Sequence, residues 1–202
     1  MSINNTYKIR RMTRQEVNLI MDWAAAEGWN PGLYDADAFY DSDPNGFFMG
    51  FLKAEPISSI SAVSYGNGFG FLGFYIVKPK YRGKGFGIGI WNEAIKYLKD
   101  HNIGLDGVVT QQENYKKSGF NLAYRNFRYQ GVSKKNHFGI DGLIKLVDIP
   151  LEKILDYDSK VFPSPRAKFL RLWITQPESV ALGTTKNGIL IGYGVIRKCR
   201  MG

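Results

Sequence analysis

The residues of this sequence best suited to chemistry lie in a glycine-rich turn. Four glycines alternate with larger residues between Gly83 and Gly89. Apolar Ile76 and Val77 precede them and predict a buried strand, which ends by Pro79 because proline has no N–H to pair. After the turn, apolar residues recur at helical spacing: Ile90, Trp91, Ala94, Ile95 and Leu98. The sequence therefore predicts a strand, a glycine-rich turn and a helix.

Such a turn can bind an anion. Glycines allow successive backbone N–H groups to converge on one point, and a helix N-terminus adds unpaired donors and partial positive charge. Lys80, Arg82 and Lys84 raise the positive potential. The alternative is a tight connection without a ligand. The P-loop pattern does not fit, because it requires Ser or Thr after Gly-Lys and here Gly85 follows Lys84.

The turn resembles a known family motif. Val77-x-Pro79-x-Tyr81-Arg82-Gly83-Lys84-Gly85-Phe86-Gly87 is similar to the pyrophosphate-binding segment of the GNAT acyl-CoA N-acyltransferases, whose core is Gln/Arg-x-x-Gly-x-Gly/Ala. The core here is Arg82-x-x-Gly85-x-Gly87. The resemblance extends from Tyr7 to about Val132. It implies a mixed α/β GNAT fold, and we expect residues 1–132 to form a GNAT N-acetyltransferase domain.

The remaining pattern of this domain agrees with that fold. Thr13 and Glu16 predict a capping box at the start of a helix. Three predicted strands joined by tight turns form an antiparallel meander; they span residues 47–53, 57–65 and 69–77. Residues 105–109 and the alternating segment Asn121–Gly131 predict two further strands.

The resemblance implies acetyl-CoA as the cosubstrate, with no metal. In the family it lies where the fourth and fifth strands separate. Backbone groups at Ile76 and Val77 are expected to hold the pantetheine arm. Amides of the turn are expected to hold the pyrophosphate: Arg82, Gly83, Lys84, Gly85, Phe86 and Gly87.

Tyr115 is the candidate general acid. Tyr115-Lys116-Lys117-Ser118-Gly119-Phe120 resembles the family's Tyr-x-x-x-Gly-Phe segment, whose tyrosine can protonate the departing thiolate. A phenol with a pKa near 10 stays protonated at neutral pH and can donate to a thiolate with a pKa of about 8.5. The alternative is a tyrosine that only packs its helix. Val108 occupies the place of a common family Asn. Asn114 or Gln111 is expected to compensate, and Asn114 is the predicted cofactor contact.

No general base is evident, since Tyr65 to Lys78 contains no carboxylate. Asp35 and Asp43 are expected to cap a helix and a turn, with substrate contact as the lesser alternative. The expected function is transfer of an acetyl group to a primary amine of a small molecule or peptide. The alternative is a non-catalytic acyl-CoA-binding or sensor module.

The composition restricts the partners. The net charge of +9 favours an anionic ligand, but the basic residues are scattered and nucleic acid is not expected. No apolar run reaches membrane-spanning length. Cys199 is the single cysteine, so an internal disulfide is excluded. We expect a cytoplasmic, bacterial protein.

The C-terminal third repeats the order of elements at the start of the chain. Residues 133–137 form a predicted polar linker, and residues 138–202 a partial GNAT-like C-terminal domain. Asp35–Phe39 corresponds to Pro165–Phe169 in this interpretation. An unrelated α+β appendage is the alternative, and whether the chain is truncated stays open. We expect the edge of the Ile189–Ile196 strand to pair with the first sheet or with a second copy in a homodimer.

Overall fold

The computed structural model describes residues 6–132 and 142–200. The predicted linker 133–137 lies outside the described residues, and the predicted domain boundaries stay predictions. Within these described residues there are two separate sheets, one of five strands and one of three. We call the five-stranded sheet with its helices the first domain, and the three-stranded sheet with its helices the second domain.

The first sheet has its strands in chain order. They are β1 (Tyr7–Arg11), β2 (Phe47–Leu52), β3 (Glu55–Ser64), β4 (Phe69–Val77) and β5 (Asn102–Leu105). Strands β1 to β4 are antiparallel, which confirms the predicted meander, and β5 is parallel to β4.

Helices cover both faces of this sheet. The helices of the first domain are α1 (Arg14–Ala26), α2 (Asp35–Ser42), α3 (Phe86–Tyr97) and α4 (Gln112–Lys117). Phe47 and Met49 of β2 pack with α1 and α2, whereas Phe48 faces α3. The predicted capping box starts α1: Glu16 N donates to Thr13 Oγ1 (3.4 Å), and Thr13 N donates to Glu16 Oε2 (2.8 Å).

The sheet opens between β4 and β5. Strand β5 pairs only with Phe69–Leu72, at the start of β4. Phe74 has a left-handed φ of +47°, and the β3–β4 register shifts beside it. Among the described residues, the edge of Gly73–Val77 that faces away from β3 therefore has no strand partner.

Two predicted strands of this domain are corrected. Strand β5 ends at Leu105, and Val109–Gln111 forms a 3-10 turn. The predicted strand Asn121–Gly131 is wrong, because this segment has no regular structure and leaves Tyr129 91% exposed. Alternating apolar residues favour a strand only where a neighbouring edge and a covering layer are available.

The second domain repeats the order of elements at the start of the chain, as predicted: a strand, two helices and two strands. Its elements are β6 (Leu143–Lys145), α5 (Leu151–Asp158), α6 (Ala167–Trp173), β7 (Ser179–Lys186) and β8 (Ile189–Arg197). The buried Asp158 carboxylate accepts hydrogen bonds from the Arg166 guanidinium (2.8 Å each) and from Tyr193 Oη (2.6 Å). Burial alone raises the pKa of Asp158, but these hydrogen bonds outweigh it and lower the pKa below its ordinary value.

The two domains pack through α2 and α6. Phe39 of α2 stacks on Phe169 of α6, with ring centroids 6.0 Å apart, and these positions correspond in the predicted repeat. The prediction that the β8 edge pairs with the first sheet is wrong: within the described residues the two sheets share no strand pairing, and an isolated bridge joins Gly32 and Cys199 outside both sheets. Pairing of this edge with a second copy in a homodimer stays a prediction. No helix within residues 6–132 and 142–200 is long and apolar enough to cross a membrane.

Candidate functional site

The predicted strand, turn and helix are confirmed around the glycine-rich motif. After β4, Pro79–Tyr81 forms a 3-10 turn and Arg82 is extended. Gly83 and Gly85 then adopt φ values of +72° and +85°, a region that side chains disfavour. Gly85 is the N-cap of α3, so the left-handed step at this residue turns the chain into the helix.

The start of α3 presents backbone donors to solvent. The first amides of a helix have no intrahelical acceptor, and Gly85 provides no side chain to cap them. Gly83, Lys84 and Gly85 are exposed, so an anion can approach these amides directly. The exposed Lys80 and Lys84 make the surroundings positive.

Side chains from distant strands hold the turn in place. Glu55 accepts from Tyr81 Oη (2.5 Å) and pairs with Lys80 Nζ (3.0 Å). The Tyr81 hydrogen bond and then the Lys80 hydrogen bond lower the pKa of Glu55 to about 2. On the other side, Tyr7 Oη donates to Phe86 O (3.2 Å). The turn is therefore preorganised without a ligand.

The Arg82 side chain is directed toward the protein. Its Nε donates to Val77 O (2.7 Å), and its Nη2 pairs with the Glu27 carboxylate at the end of α1. Lys84 Nζ donates to Lys80 O (2.8 Å). These contacts leave the backbone amides, and not the Arg82 guanidinium, as the open donors of the turn.

Tyr75 was missed by the sequence analysis. It lies on β4 next to Ile76 and Val77, and its hydroxyl reaches the start of α3. A Cβ on Gly87 would lie 2.7 Å from Tyr75 Oη, so glycine is the residue that fits there. No partner of this hydroxyl occurs among the described residues. Burial raises the pKa of Tyr75, with smaller contributions from Tyr115 and Tyr7.

Tyr115 lies on α4, facing the same core. Its ring stacks on the Trp91 ring, with centroids 5.9 Å apart, and the Tyr75 ring lies on the same tryptophan, with centroids 5.3 Å apart. The Tyr115 ring also packs on Gly107, where a Cβ would lie 2.4 Å from Cε2. Burial raises the pKa of Tyr115 above 10.0, so the phenol keeps its proton at neutral pH.

The other predicted cofactor-binding residues lie on β4, which carries Ile76 and Val77, and on α4, which carries Asn114. Ile76 is buried and Val77 half-buried, and both lie on the part of β4 that has no strand partner on its outer side in the described part of the chain. Asn114 is exposed on α4, and its Nδ2 donates to Gln111 Oε1 (2.7 Å). The structure therefore brings the turn, the free strand edge and Tyr115 together around α3, with Asn114 at the periphery.

The acidic residues have structural roles. Asp43 caps its turn as predicted, accepting from Asn45 N (3.1 Å), Ser64 N (2.9 Å) and Tyr97 Oη (2.9 Å). The prediction that Asp35 caps a helix is wrong, because Tyr34 is the N-cap of α2 and Asp35 is its first residue. The Asp35 carboxylate is 1% exposed and accepts from Gly32 N (2.7 Å), which lies before the helix.

Comparison with known proteins assigns the family. A sequence model of the acetyltransferase (GNAT) family matches residues 13–120, more than half of the chain. A second model, described as an acetyltransferase (GNAT) domain, matches residues 154–202. The chain therefore belongs to the GNAT family of acyltransferases and carries a second, C-terminal GNAT-like domain.

Individual relatives agree with this assignment. The chain is 31% identical over 194 residues to a holothin acyltransferase of Pseudoalteromonas sp. (strain SANK 73390), covering 96% of this chain and 64% of that protein. An uncharacterised protein of Caenorhabditis elegans, F36G3.2, is 29% identical over 113 residues, covering 51% of this chain and 36% of its own length. The chain thus spans less than two thirds of these relatives.

A solved structure shows the same fold across both domains. A Pyrococcus horikoshii protein assigned to the acetyltransferases superposes with a TM-score of 0.79 at 20% identity, covering 98% of this chain and 70% of its own. At this identity the likeness concerns the fold alone.

Proposed function

We propose that this chain is an acyl-CoA-dependent N-acyltransferase that transfers acetyl from acetyl-CoA to a primary amine. The observation that carries the proposal is that the helix-start amides of α3 lie beside a strand edge, Gly73–Val77, that has no strand partner on its outer side among the described residues. The amides at Gly85–Gly87 suit a pyrophosphate. The free edge of Gly73–Val77 suits an extended pantetheine arm, which can pair as an added strand does.

When bound, acetyl-CoA supplies the activated acetyl thioester. The turn holds the pyrophosphate, and Ile76 and Val77 orient the arm so that the reactive end lies in the opening between β4 and β5. Backbone N–H groups near Val77 polarise the thioester carbonyl. The amine nitrogen forms the new C–N bond as the C–S bond breaks.

Tyr115 donates its phenolic proton to the departing sulfur. Its buried, proton-retaining ring is held by Trp91 and Gly107 at the edge of the same opening. No carboxylate of β4 takes the amine proton, so this proton passes to water and solvent reprotonates the phenolate. In this proposal the amine enters from the α1 face of the sheet, opposite α3, where the side chains of Trp29 and Tyr34 are exposed.

The proposed test measures CoA release with a panel of primary amines. The panel contains 2-phenylethylamine, an aliphatic diamine, an amino sugar, a peptide α-amine and holothin, the acceptor named for the bacterial relative. Tyr115→Phe should lower kcat by about 10²-fold or more with little change in acetyl-CoA affinity. Tyr124→Phe, at a site 72% exposed, is the matched control.

Two outcomes contradict parts of this proposal. Equal turnover of Tyr115→Phe and wild type across pH would show that Tyr115 is only structural. Acetyl-CoA binding without acetylation of any amine in the panel would favour the alternative of a non-catalytic acyl-CoA-binding module.

A further inference from the structure

The segment between α1 and α2 depends on other parts of the chain for its conformation. We call residues 27–34 the α1–α2 loop. Gly28 and Asn30 have φ values of +76° and +50°, so the loop contains two left-handed residues. Backbone groups outside regular structure need partners elsewhere, and here these partners come from α1, from Asp35, from Arg128 and from the end of the second domain.

The second domain provides the partners of Pro31 and Leu33. Lys198 O accepts from Leu33 N (3.0 Å), and Arg200 N donates to Pro31 O (2.8 Å). The Arg200 guanidinium donates to Leu33 O (3.3 Å), to the Asn18 side chain (2.9 Å) and to Asp22 Oδ1 (2.6 Å).

A partly buried ion pair completes this contact. Arg197 Nε and Nη2 donate to Asp35 Oδ1 (2.8 Å) and Oδ2 (3.0 Å), and the same carboxylate accepts from Gly32 N. The Arg197 guanidinium also lies over the Trp173 ring, 4.3 Å from its centroid. A two-point pair of this kind defines both distance and orientation. We call Arg197, Arg200 and Asp35 the interdomain clamp.

Side-chain contacts within the first domain connect the same loop to the candidate site. Glu27, at the start of the loop, pairs with Arg82 of the cofactor turn. Arg128 donates to Gly28 O (3.2 Å) and Trp29 O (3.4 Å). The loop thus connects the clamp to the turn, on the face where the proposed function admits the amine.

We propose that Arg197 and Arg200 of the second domain are positioning residues for the acceptor side of the first domain's site. By fixing the α1–α2 loop, the second domain sets the position of Trp29 and Tyr34 relative to the opening between β4 and β5. The second domain then contributes to acceptor binding without contacting the acyl-CoA. This inference rests on the proposed function for its catalytic consequence and on the contacts above for its structural part.

Gly32→Ala tests the clamp without removing a charge. The added Cβ would lie 2.4 Å from Asp35 Oδ1 and 2.7 Å from Arg197 Nε, so it separates the pair. Gly194→Ala on β8 is the matched control, because no atom lies within 4 Å of its added Cβ. Arg197→Ala, with Arg197→Lys as the conservative variant and exposed Arg171→Ala as control, gives a second, independent series.

The first readout is amide hydrogen exchange of residues 28–34 in the full chain, with circular dichroism as a check on folding. Exchange should accelerate in Gly32→Ala and Arg197→Ala, stay unchanged in both controls, and recover partly in Arg197→Lys. Unchanged exchange in the clamp variants would overturn the inference. This readout needs no activity, so it is independent of the proposed function.

The second readout separates binding of the two substrates. With 2-phenylethylamine as acceptor, the clamp variants should raise the acceptor KM by about tenfold or more, as expected for a displaced binding loop. Acetyl-CoA affinity measured by calorimetry should stay as in wild type.

Faster exchange with an unchanged acceptor KM would overturn the positioning role and leave the clamp purely structural. Absence of acetylation by wild type would refute the proposed function, and the exchange result alone would then decide whether the clamp orders the loop.

Discussion

The contact between Tyr75 and Gly87 allows a quantitative test of how the cofactor turn is packed. The family motif accepts Gly or Ala at the position of Gly87, yet here an alanine Cβ would lie 2.7 Å from Tyr75 Oη. The next nearest atoms, Val77 Cγ2 at 3.4 Å and Tyr75 Cζ at 3.5 Å, are at ordinary contact distance. Tyr75→Phe therefore removes the one conflicting atom.

The expected magnitude follows from two opposing effects. Alanine in a helix is favoured over glycine by about 1 kcal/mol, and overpacking a core costs about 1–3 kcal/mol. Gly87→Ala alone should thus be neutral to destabilising by about 2 kcal/mol, whereas in Tyr75→Phe protein it should stabilise by up to about 1 kcal/mol. The effect of Gly87→Ala on the free energy of unfolding should therefore differ by about 1–3 kcal/mol between the two backgrounds, and it should be the more unfavourable when Tyr75 is present.

Thermal unfolding of the four proteins measures this coupling. In a chain of this size, 1 kcal/mol corresponds to about 2–4 °C in Tm. Acetyl-CoA affinity, measured alongside, should fall in Gly87→Ala and recover in the double variant, because relief of the contact restores the turn. Equal effects of Gly87→Ala on Tm in both backgrounds would refute the packing argument.

Three further predictions follow from individual contacts. Hydrogen bonds lower the pKa of Glu16 from 4.5 to about 2, with the largest effect from Arg10 and a smaller one from Thr13 N. The charged Glu16 carboxylate therefore stabilises the fold fully above pH 4.5, and this stabilisation is lost as the pH falls toward 2. Glu16→Gln should lower Tm at pH 7, and its difference from wild type should shrink through that window; a pH-independent difference would contradict this reason. Asp158→Asn should destabilise the second domain by about 3–5 kcal/mol in denaturant unfolding, because Arg166 loses its buried partner; a loss under 1 kcal/mol would refute the estimate. Trp91→Leu should lower kcat more than it raises the acetyl-CoA Kd, since Trp91 supports the Tyr115 ring; an effect on Kd alone would contradict that role.

The local part of the site was predictable from sequence. Val77, Pro79 and the glycines lie within a dozen residues, so strand end, turn and helix start follow from short-range sterics and spacing. The Tyr-x-x-x-Gly-Phe segment likewise marked Tyr115. The prediction that Asp43 caps its turn is also confirmed by its hydrogen bonds.

Long-range contacts were not predictable. Glu27 and Arg82 are 55 residues apart, and no local pattern marks one as the partner of the other. Tyr75 resembled an ordinary strand residue until its hydroxyl was placed against Gly87. Asn121–Gly131 has a strand pattern without a strand, because pairing depends on what lies beside the segment and not on its own alternation.

The central claim is that acetyl-CoA binds through the backbone amides at the Gly85 turn. Gly85→Asp and Gly85→Asn test it most directly, since both side chains tolerate the left-handed conformation and have nearly the same shape. Only aspartate adds a negative charge where the pyrophosphate is expected. Isothermal titration calorimetry with acetyl-CoA should show binding to the folded Gly85→Asn protein and a large loss, about 10²-fold or more, for folded Gly85→Asp. Equal affinity of the two variants and wild type would contradict the account.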